Sequence, residues 1–448
     1  MTAPRRSTLV AAPRRSTLVA AAVVLVAVLL AASAVLLDIS ATPRGGRTVV
    51  TVRLWDEQVA AAYRQSFQAF TRAHPDIEVH TNVVAYATYF DTLRTDVAGG
   101  SADDIFWLSN AYLAAYADSR RLMKVEAKPD WEPSVVGQFT RDGTLWGVPQ
   151  LTDAGIAVYY NADLLAKAGV DPSRLSTVRW SPDTSDTLRP LLAGLTVDVD
   201  GHAAGTPGFD PRRVRQWGYN AANDPQGIYL NYIGSAGGVF QTGDRFAFDN
   251  PGARAAFNYL VQLINDDHVA PPASDTNANN DFSRNQFLAG KMALFQSGTY
   301  NLAAVAGQAG FRWGIAMLPT GPKGRVSVTN GIAAAGNSAS KNPDAVRQVL
   351  DWMGSKQGNE YLGRRGSAIP AVRSAQRVYF DYWAGKGVDV TPFFAVLNGP
   401  RIPAPGGAGF PAGYQALQPY FDEMFLGRGD VATLLREAQD AANAAARR

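Results

Sequence analysis

The hydrophobic pattern of this chain switches repeatedly between a period of two and a helical period, and few folds accommodate that switch. Val50, Val52 and Leu54 alternate with Thr51 and Arg53, which reads as a half-buried strand ending at Trp55-Asp56-Glu57. Val59, Tyr63, Phe67 and Phe70 then recur at helical spacing until His74-Pro75 stops the helix. Ile77, Val79, Thr81 and Val83 alternate again. A second helix is expected over residues 89–97, closed by Gly99-Gly100, then a short strand over 104–108 and a helix over 110–122. Strands alternating with helices of this length indicate an α/β protein built from βαβ units around a mainly parallel sheet.

The pattern resumes further along. Residues 155–160 read as a strand, after which Asn161 caps a helix that ends before Gly169. Asn250-Pro251 and Asn342-Pro343 each join a cap residue to a proline suited to the first helical position. Residues 430–446 form an Ala-rich amphipathic helix. Between Pro400 and Gly413 eight of 14 residues are Pro or Gly, so a surface loop is expected there. At 448 residues the chain exceeds one ordinary core, and two lobes are the default.

The N-terminus is a different kind of sequence. Residues 3–11 and 12–20 are identical nonapeptides, too few copies for a solenoid. Leu18–Leu37 is a run whose only polar member is Ser33, long enough as a helix to span about 30 Å. Arg5, Arg6, Arg14 and Arg15 precede it and no acid appears before Asp38. This is the layout of a signal peptide or a signal-anchor, with Sec and twin-arginine export both open. Either way the rest of the chain is extracytoplasmic, secreted or held at the membrane by that helix. The net charge of +3 arises here: without the four arginines, 38 basic residues face 39 acidic ones. A near-neutral body gives nucleic acid no electrostatic foothold. With no cysteine, disulfides, zinc ribbons, thiol nucleophiles and a lipidated N-terminal Cys are excluded.

Catalytic motifs are missing. His74, His80, His202 and His268 contain no pair at the spacing of a helical zinc site. Gly290-Lys291 lacks the leading Gly and the Ser or Thr of a phosphate loop, and Gly336-Asn-Ser338-Ala-Ser340 lacks the last Gly of a nucleophile elbow. Asp275, Asn277, Asn279 and Asp281 alternate like the start of a calcium loop, but Asn280 replaces the required Gly and Gln286 the bidentate Glu. A polar loop whose Asp281 caps the next helix is the expected arrangement. No metal and no cofactor is called for. Asp56, Glu57 and Asp153 end expected strands, where α/β sheets place ligands; they suit either hydroxyl recognition or a glycosidase's paired acids.

Six segments in order resemble the extracellular solute-binding proteins of ABC importers, the carbohydrate-binding family that includes maltose-binding protein. They are AFTRAHPDIEV around Phe70–Val79; Tyr86 and Tyr89 through Asp104-Ile105 to Tyr116 and Leu122; residues 143–170 with LWGVP and VYYNADLLAKAGV; FLAGKMAL followed by Gly298-Thr-Tyr300; WGIAMLP; and residues 331–370 ending GRRGSAIP. The resemblance implies a periplasmic-binding-protein-like α/β fold of two lobes with a hinge and an interlobe ligand cleft, preceded by the N-terminal transmembrane or signal helix. It divides the chain into a signal segment (1–37), a linker (38–47), first-lobe segments 48–154 and 335–376, and second-lobe segments 155–334 and 377–448, with crossings near Ala154, Ala334 and Gln376. It implies a non-enzymatic protein that captures a mono- or oligosaccharide and passes it to ABC permease subunits. A secreted carbohydrate-active hydrolase and an anchored ligand sensor are the alternatives. By matching position the ligand-binding residues are Trp55, Asp56 and Glu57; Trp107 and Asn110; Asp153; Gln226 and Tyr229; Tyr300 as the stacking aromatic; and Asn330, Gly331 and Arg365. Asn110 stands where the maltose binder has an aspartate.

Overall fold

The structure, a computed structural model, describes residues 46–152 and 154–447. The N-terminal address and Asp153 therefore lie outside the described residues. Among the described residues no helix is long and apolar enough to cross a membrane.

The first lobe is built as the alternation requires. Strand β1 (Thr48–Leu54) leads through helix α1 (Glu57–Ala73) to β2 (Ile77–Val83), and helix α2 (Tyr86–Gly99) leads to β3 (Ile105–Ser109). β1 pairs in parallel with both β2 and β3. Helix α3 (Asn110–Asp118) starts directly at the end of β3 and stops four residues short of the expected Leu122. Two later strands complete the sheet, β4 (Val148–Thr152) and β8 (Gly331–Gly336), in the order β2-β1-β3-β8-β4. β8 runs antiparallel to β3 and β4, so the sheet is mixed and not mainly parallel. The reason is topological: β8 returns from the other lobe and enters the sheet from the opposite end. All of β8 belongs to this sheet, which puts the second crossing before Gly331, ahead of the position expected near Ala334.

The second lobe departs further from the expected parallel sheet. β5 (Ala157–Asn161) is flanked by β6 (Leu294–Ser297) and β7 (Trp313–Met317), both antiparallel to it. Alternation along β5 shows how the sheet is covered. Val158 faces a core made by helices α4 (Pro251–Asn265), α7 (Phe410–Phe425) and α8 (Val431–Ala445). Ala157 and Tyr159 face a separate core with Phe287, Phe295, Tyr379 and Trp383. The first lobe has its own core around Val50, Val52, Phe70, Leu108, Val346 and Leu350, where helices α5 (Pro343–Met353) and α6 (Lys356–Arg364) pack. Burying sheets on both faces is what the long apolar runs demand.

Capping explains several helix starts. Asn161 Oδ1 accepts from the backbone N–H groups of Asp163 and Leu164, and Asn250 Oδ1 from that of Ala253. Asn342 makes no such bond although Pro343 opens its helix. Asp281 does not cap either: its carboxylate pairs with Arg284 at 2.8 Å. The stretch expected as a loop from Pro400 ends at Gly409, because Phe410-Pro411 starts α7.

Candidate functional site

The ends of β1, β2 and β3 present one wall. Trp55 follows β1, and its half-buried ring meets Tyr86 at 5.7 Å, Tyr89 at 4.8 Å, Phe90 at 5.6 Å and Trp107 at 4.9 Å between centroids. Tyr86 opens α2, and Phe90 one turn later stacks on Tyr112 of α3 at 3.7 Å. Asp56 caps α1, its Oδ1 accepting from the backbone N–H groups of Gln58 and Val59. Burial pushes its carboxyl above the ordinary value; those two bonds pull it back, and neighbouring Glu57 adds to the rise.

The second lobe supplies the facing wall. Asp224 caps the π-helical turn Pro225–Tyr229, its Oδ1 accepting from Gly227 N–H at 2.9 Å. Burial raises its carboxyl, opposed by the N–H groups of Gly227 and Gln226. Asn223 donates to Asp422 Oδ1 at 2.9 Å, and burial raises Asp422 as well. Burial also raises the hydroxyl of Tyr414 of α7, while Tyr229 and Gln418 act to lower it.

Tyr86 ties the two walls together. It is 61% exposed, the most accessible of the large apolar side chains. Yet desolvation holds its hydroxyl well above the ordinary phenol value, with Tyr414 and Asp224 as the other groups acting on it. Those two belong to the other lobe. The lobes meet beside Tyr86, where Tyr112 of the first lies edge-on to Phe410 of the second at 6.3 Å, so the exposed Tyr86 ring stands in a cleft. The cleft has aromatic faces on one side and desolvated acceptors on the other, and the charged groups acting on Asp56 and Asp422 are the acids Glu57 and Glu423. Such a lining suits a neutral, hydroxyl-rich ligand with an apolar face.

The family model for bacterial extracellular solute-binding proteins matches residues 55–360, spanning the first wall, the hinge strands and the Asp224 turn. The chain belongs to that family. This solute-binding protein is 80% identical to UspC from M. tuberculosis, whose crystal structure superposes with a TM-score of 0.72 over 89% of this chain and all of that one. An ABC substrate-binding protein from Listeria monocytogenes in complex with cycloalternan superposes at 0.76 with 18% identity, covering 89% of this chain and 98% of its own. The GacH receptor of Streptomyces glaucescens, solved unliganded and with acarbose, gives 0.73 at 20% identity over 90% and 99% of the two chains. The last two likenesses are of fold alone.

The expected ligand residues of the solute-binding protein are distributed unevenly. Trp55 and Asp56 form the first wall, Asn110 opens α3 beside it, and half-buried Gln226 lies in the turn capped by Asp224. Asn330 and Gly331 stand where the chain enters β8, with Gly331 N–H donating to Gln138 Oε1 at 2.6 Å. Tyr300 is 42% exposed in the turn after β6. Three residues are corrected. Trp107 is 1% exposed, and its indole N–H is satisfied by Tyr63 Oη at 3.1 Å, which itself donates to Gln150 Oε1 at 2.7 Å; it is core. Tyr229 is fully buried among Phe240, Phe257 and Phe421, so it is core. Glu57 points outward to Arg64, both largely exposed. Arg365 is exposed at the C-terminal end of α6, where its backbone N–H donates to Gly363 O. Asp153 lies outside the described residues.

The sequence reading missed Tyr112, Asp224 and Tyr414. Asp224-Pro225 carries the same cap-then-proline signature as Asn250-Pro251 and was legible. Tyr112 and Tyr414 sit in helices whose other aromatics are core, and nothing local separates them. Among the described residues no cluster of three His, Cys, Asp or Glu could hold a metal.

Proposed function

We propose that this protein is the extracytoplasmic substrate-binding component of an ABC importer, and that it captures a mono- or oligosaccharide between two lobes that close on it. The observation that carries this reading is the aromatic wall of Trp55 and exposed Tyr86, beside which the opposite lobe meets the first where Phe410 lies edge-on to Tyr112 at 6.3 Å. Cycloalternan and acarbose in the related structures are hydroxyl-rich ligands of the kind this lining suits. Binding is favoured over hydrolysis because Asp56, the described strand-end acid in the cleft, is committed to capping α1. Trp55, Asp56, Asn110, Gln226, Tyr300, Asn330 and the Asp153 position are the ligand contacts of this reading, with Tyr86, Asp224 and Tyr414 added. Retention at the membrane would come from residues 18–37.

A thermal-shift screen with maltotriose, cycloalternan, acarbose and monosaccharides tests the reading. A ligand at a hundred times its Kd stabilises by about 2.7 kcal/mol, a rise of several degrees in Tm. Stabilisation by at least one sugar, with no product released on overnight incubation, is expected. Stabilisation by amines or peptides alone would overturn the carbohydrate assignment.

A further inference from the structure

The lobes also touch at the rim of the cleft, away from the crossings. The hairpin Gln241–Phe246 of the second lobe holds the Pro/Gly-rich strap 403–409. Gln241 Oε1 accepts from Gly406 N–H at 2.7 Å and Gln241 Nε2 donates to Gly406 O at 3.1 Å. The strap presses on the first turn of α3 in the first lobe: a Cβ at Gly406 would lie 3.4 Å from Asn110 O and 3.5 Å from Ala111 Cα. Ala111 packs against the second lobe's core although its neighbour Tyr112 packs against the first. Phe410, where the strap ends, meets Tyr112 edge-on at 6.3 Å.

A charge accompanies this contact. Arg141, in the first-lobe hairpin 140–145, forms a bidentate pair with Asp118 at 2.6 and 2.8 Å. The hydrogen bond to Asp118 is what chiefly raises its guanidinium, and Asp244 at the tip of the second-lobe hairpin is among the further acids acting on it. Asp244 is fixed against the strap: a Cβ at Gly407, whose φ is +109°, would fall 2.5 Å from its Oδ1. The strap needs glycine at Gly407, where φ is positive and Asp244 leaves no room, while at Gly406 only a small side chain fits against α3.

We propose that the strap 403–409 and the hairpin 241–246 form an interlobe latch, seated on the first turn of α3, that sets the closed population of the free protein. Asp244, Arg141 and Gly406 are then positioning residues that tune affinity without touching ligand. The latch rests on the two-lobe reading of the cleft but not on the identity of the sugar. Its contacts couple affinity to closure, because a ligand held only by the closed form binds more weakly in proportion to the closed fraction lost.

The chain has no cysteine, so Ala98→Cys on the first lobe and Glu437→Cys on the second report an interlobe distance through spin labels, without added sugar. Asp244→Arg, which turns an acid acting on Arg141 into a like charge, is expected to lower the closed-to-open ratio about twofold to fivefold, and 0.5 M salt should lower it similarly in the parent. In an Arg141→Gln background the effect of Asp244→Arg should shrink to near nothing. Gly406→Leu should open the lobes with Tm unchanged within about 2 °C. Distance distributions of Asp244→Arg and Gly406→Leu that overlay the parent, or an Asp244→Arg effect undiminished by Arg141→Gln, would overturn the latch. Because no ligand is present, these outcomes are independent of whether the cleft binds sugar.

Discussion

The two walls of the cleft are made from different materials. The first-lobe wall is a contiguous set of rings, Trp55, Tyr86, Phe90 and Tyr112, seated on strand ends and first helical turns. The second-lobe wall consists of acids and amides, Asp224, Gln226, Asn223 and Asp422, with Tyr414 among them. Rings keep their shape without a ligand, because they pack on one another. Desolvated carboxylates instead carry an unfavourable charge until donors reach them. The first wall is therefore preformed, and the second gains most when a hydroxyl-bearing ligand arrives.

That contrast can be broken from either side. Trp55→Ala should have the largest effect, since it removes the ring on which four others rest. Calorimetry should find binding of the best sugar from the panel weakened beyond a hundredfold, with stability lower by about 2–4 kcal/mol in denaturant titration. Tyr86→Ala should separate binding from folding: affinity falls about tenfold while stability moves by less than about 0.5 kcal/mol, because the ring is exposed. A stability loss as large as that of Trp55→Ala would show that Tyr86 is structural.

Asp224→Asn tests the second wall through pH. Burial puts the folded carboxyl above its ordinary 3.8, so the folded state holds that proton more tightly than the unfolded chain does. Stability contributed by the protonated form is present below pH 3.8 and is lost as pH rises through the raised value. The amide keeps the bond to Gly227 and carries no charge, so its Tm advantage should be absent at pH 3 and largest near pH 7, while sugar affinity falls. A Tm difference independent of pH would remove the desolvation argument for this wall. Glu57→Ala should have the smallest effect, within about 0.5 kcal/mol in stability and twofold in affinity, because its pair with Arg64 is solvent-exposed.

Much of the first wall was legible before the fold was known. A strand ending in Trp-Asp-Glu followed by a helix places an aromatic and a cap at the sheet edge, and both Trp55 and Asp56 are found there. The sequence could not separate Trp55 from Trp107. Both follow apolar strand residues, and only the packing shows that Trp107 has a buried partner in Tyr63 while Trp55 lies half open. Tyr229 fails for the same reason, since a tyrosine in a helical turn faces core or cleft according to what packs behind it.

Sequence by itself determined the α/β alternation, the caps at Asn161 and Asn250, the near-neutral body behind a basic N-terminal segment, and the family. These are local properties, set by periodicity, backbone hydrogen bonding and composition. Tertiary structure alone decided the antiparallel entry of β8, the meeting of Tyr112 with Phe410, and the seating of Gly406 on α3. Each joins segments more than a hundred residues apart. Such contacts depend on how two separately packed cores are set against each other, and no local pattern encodes that.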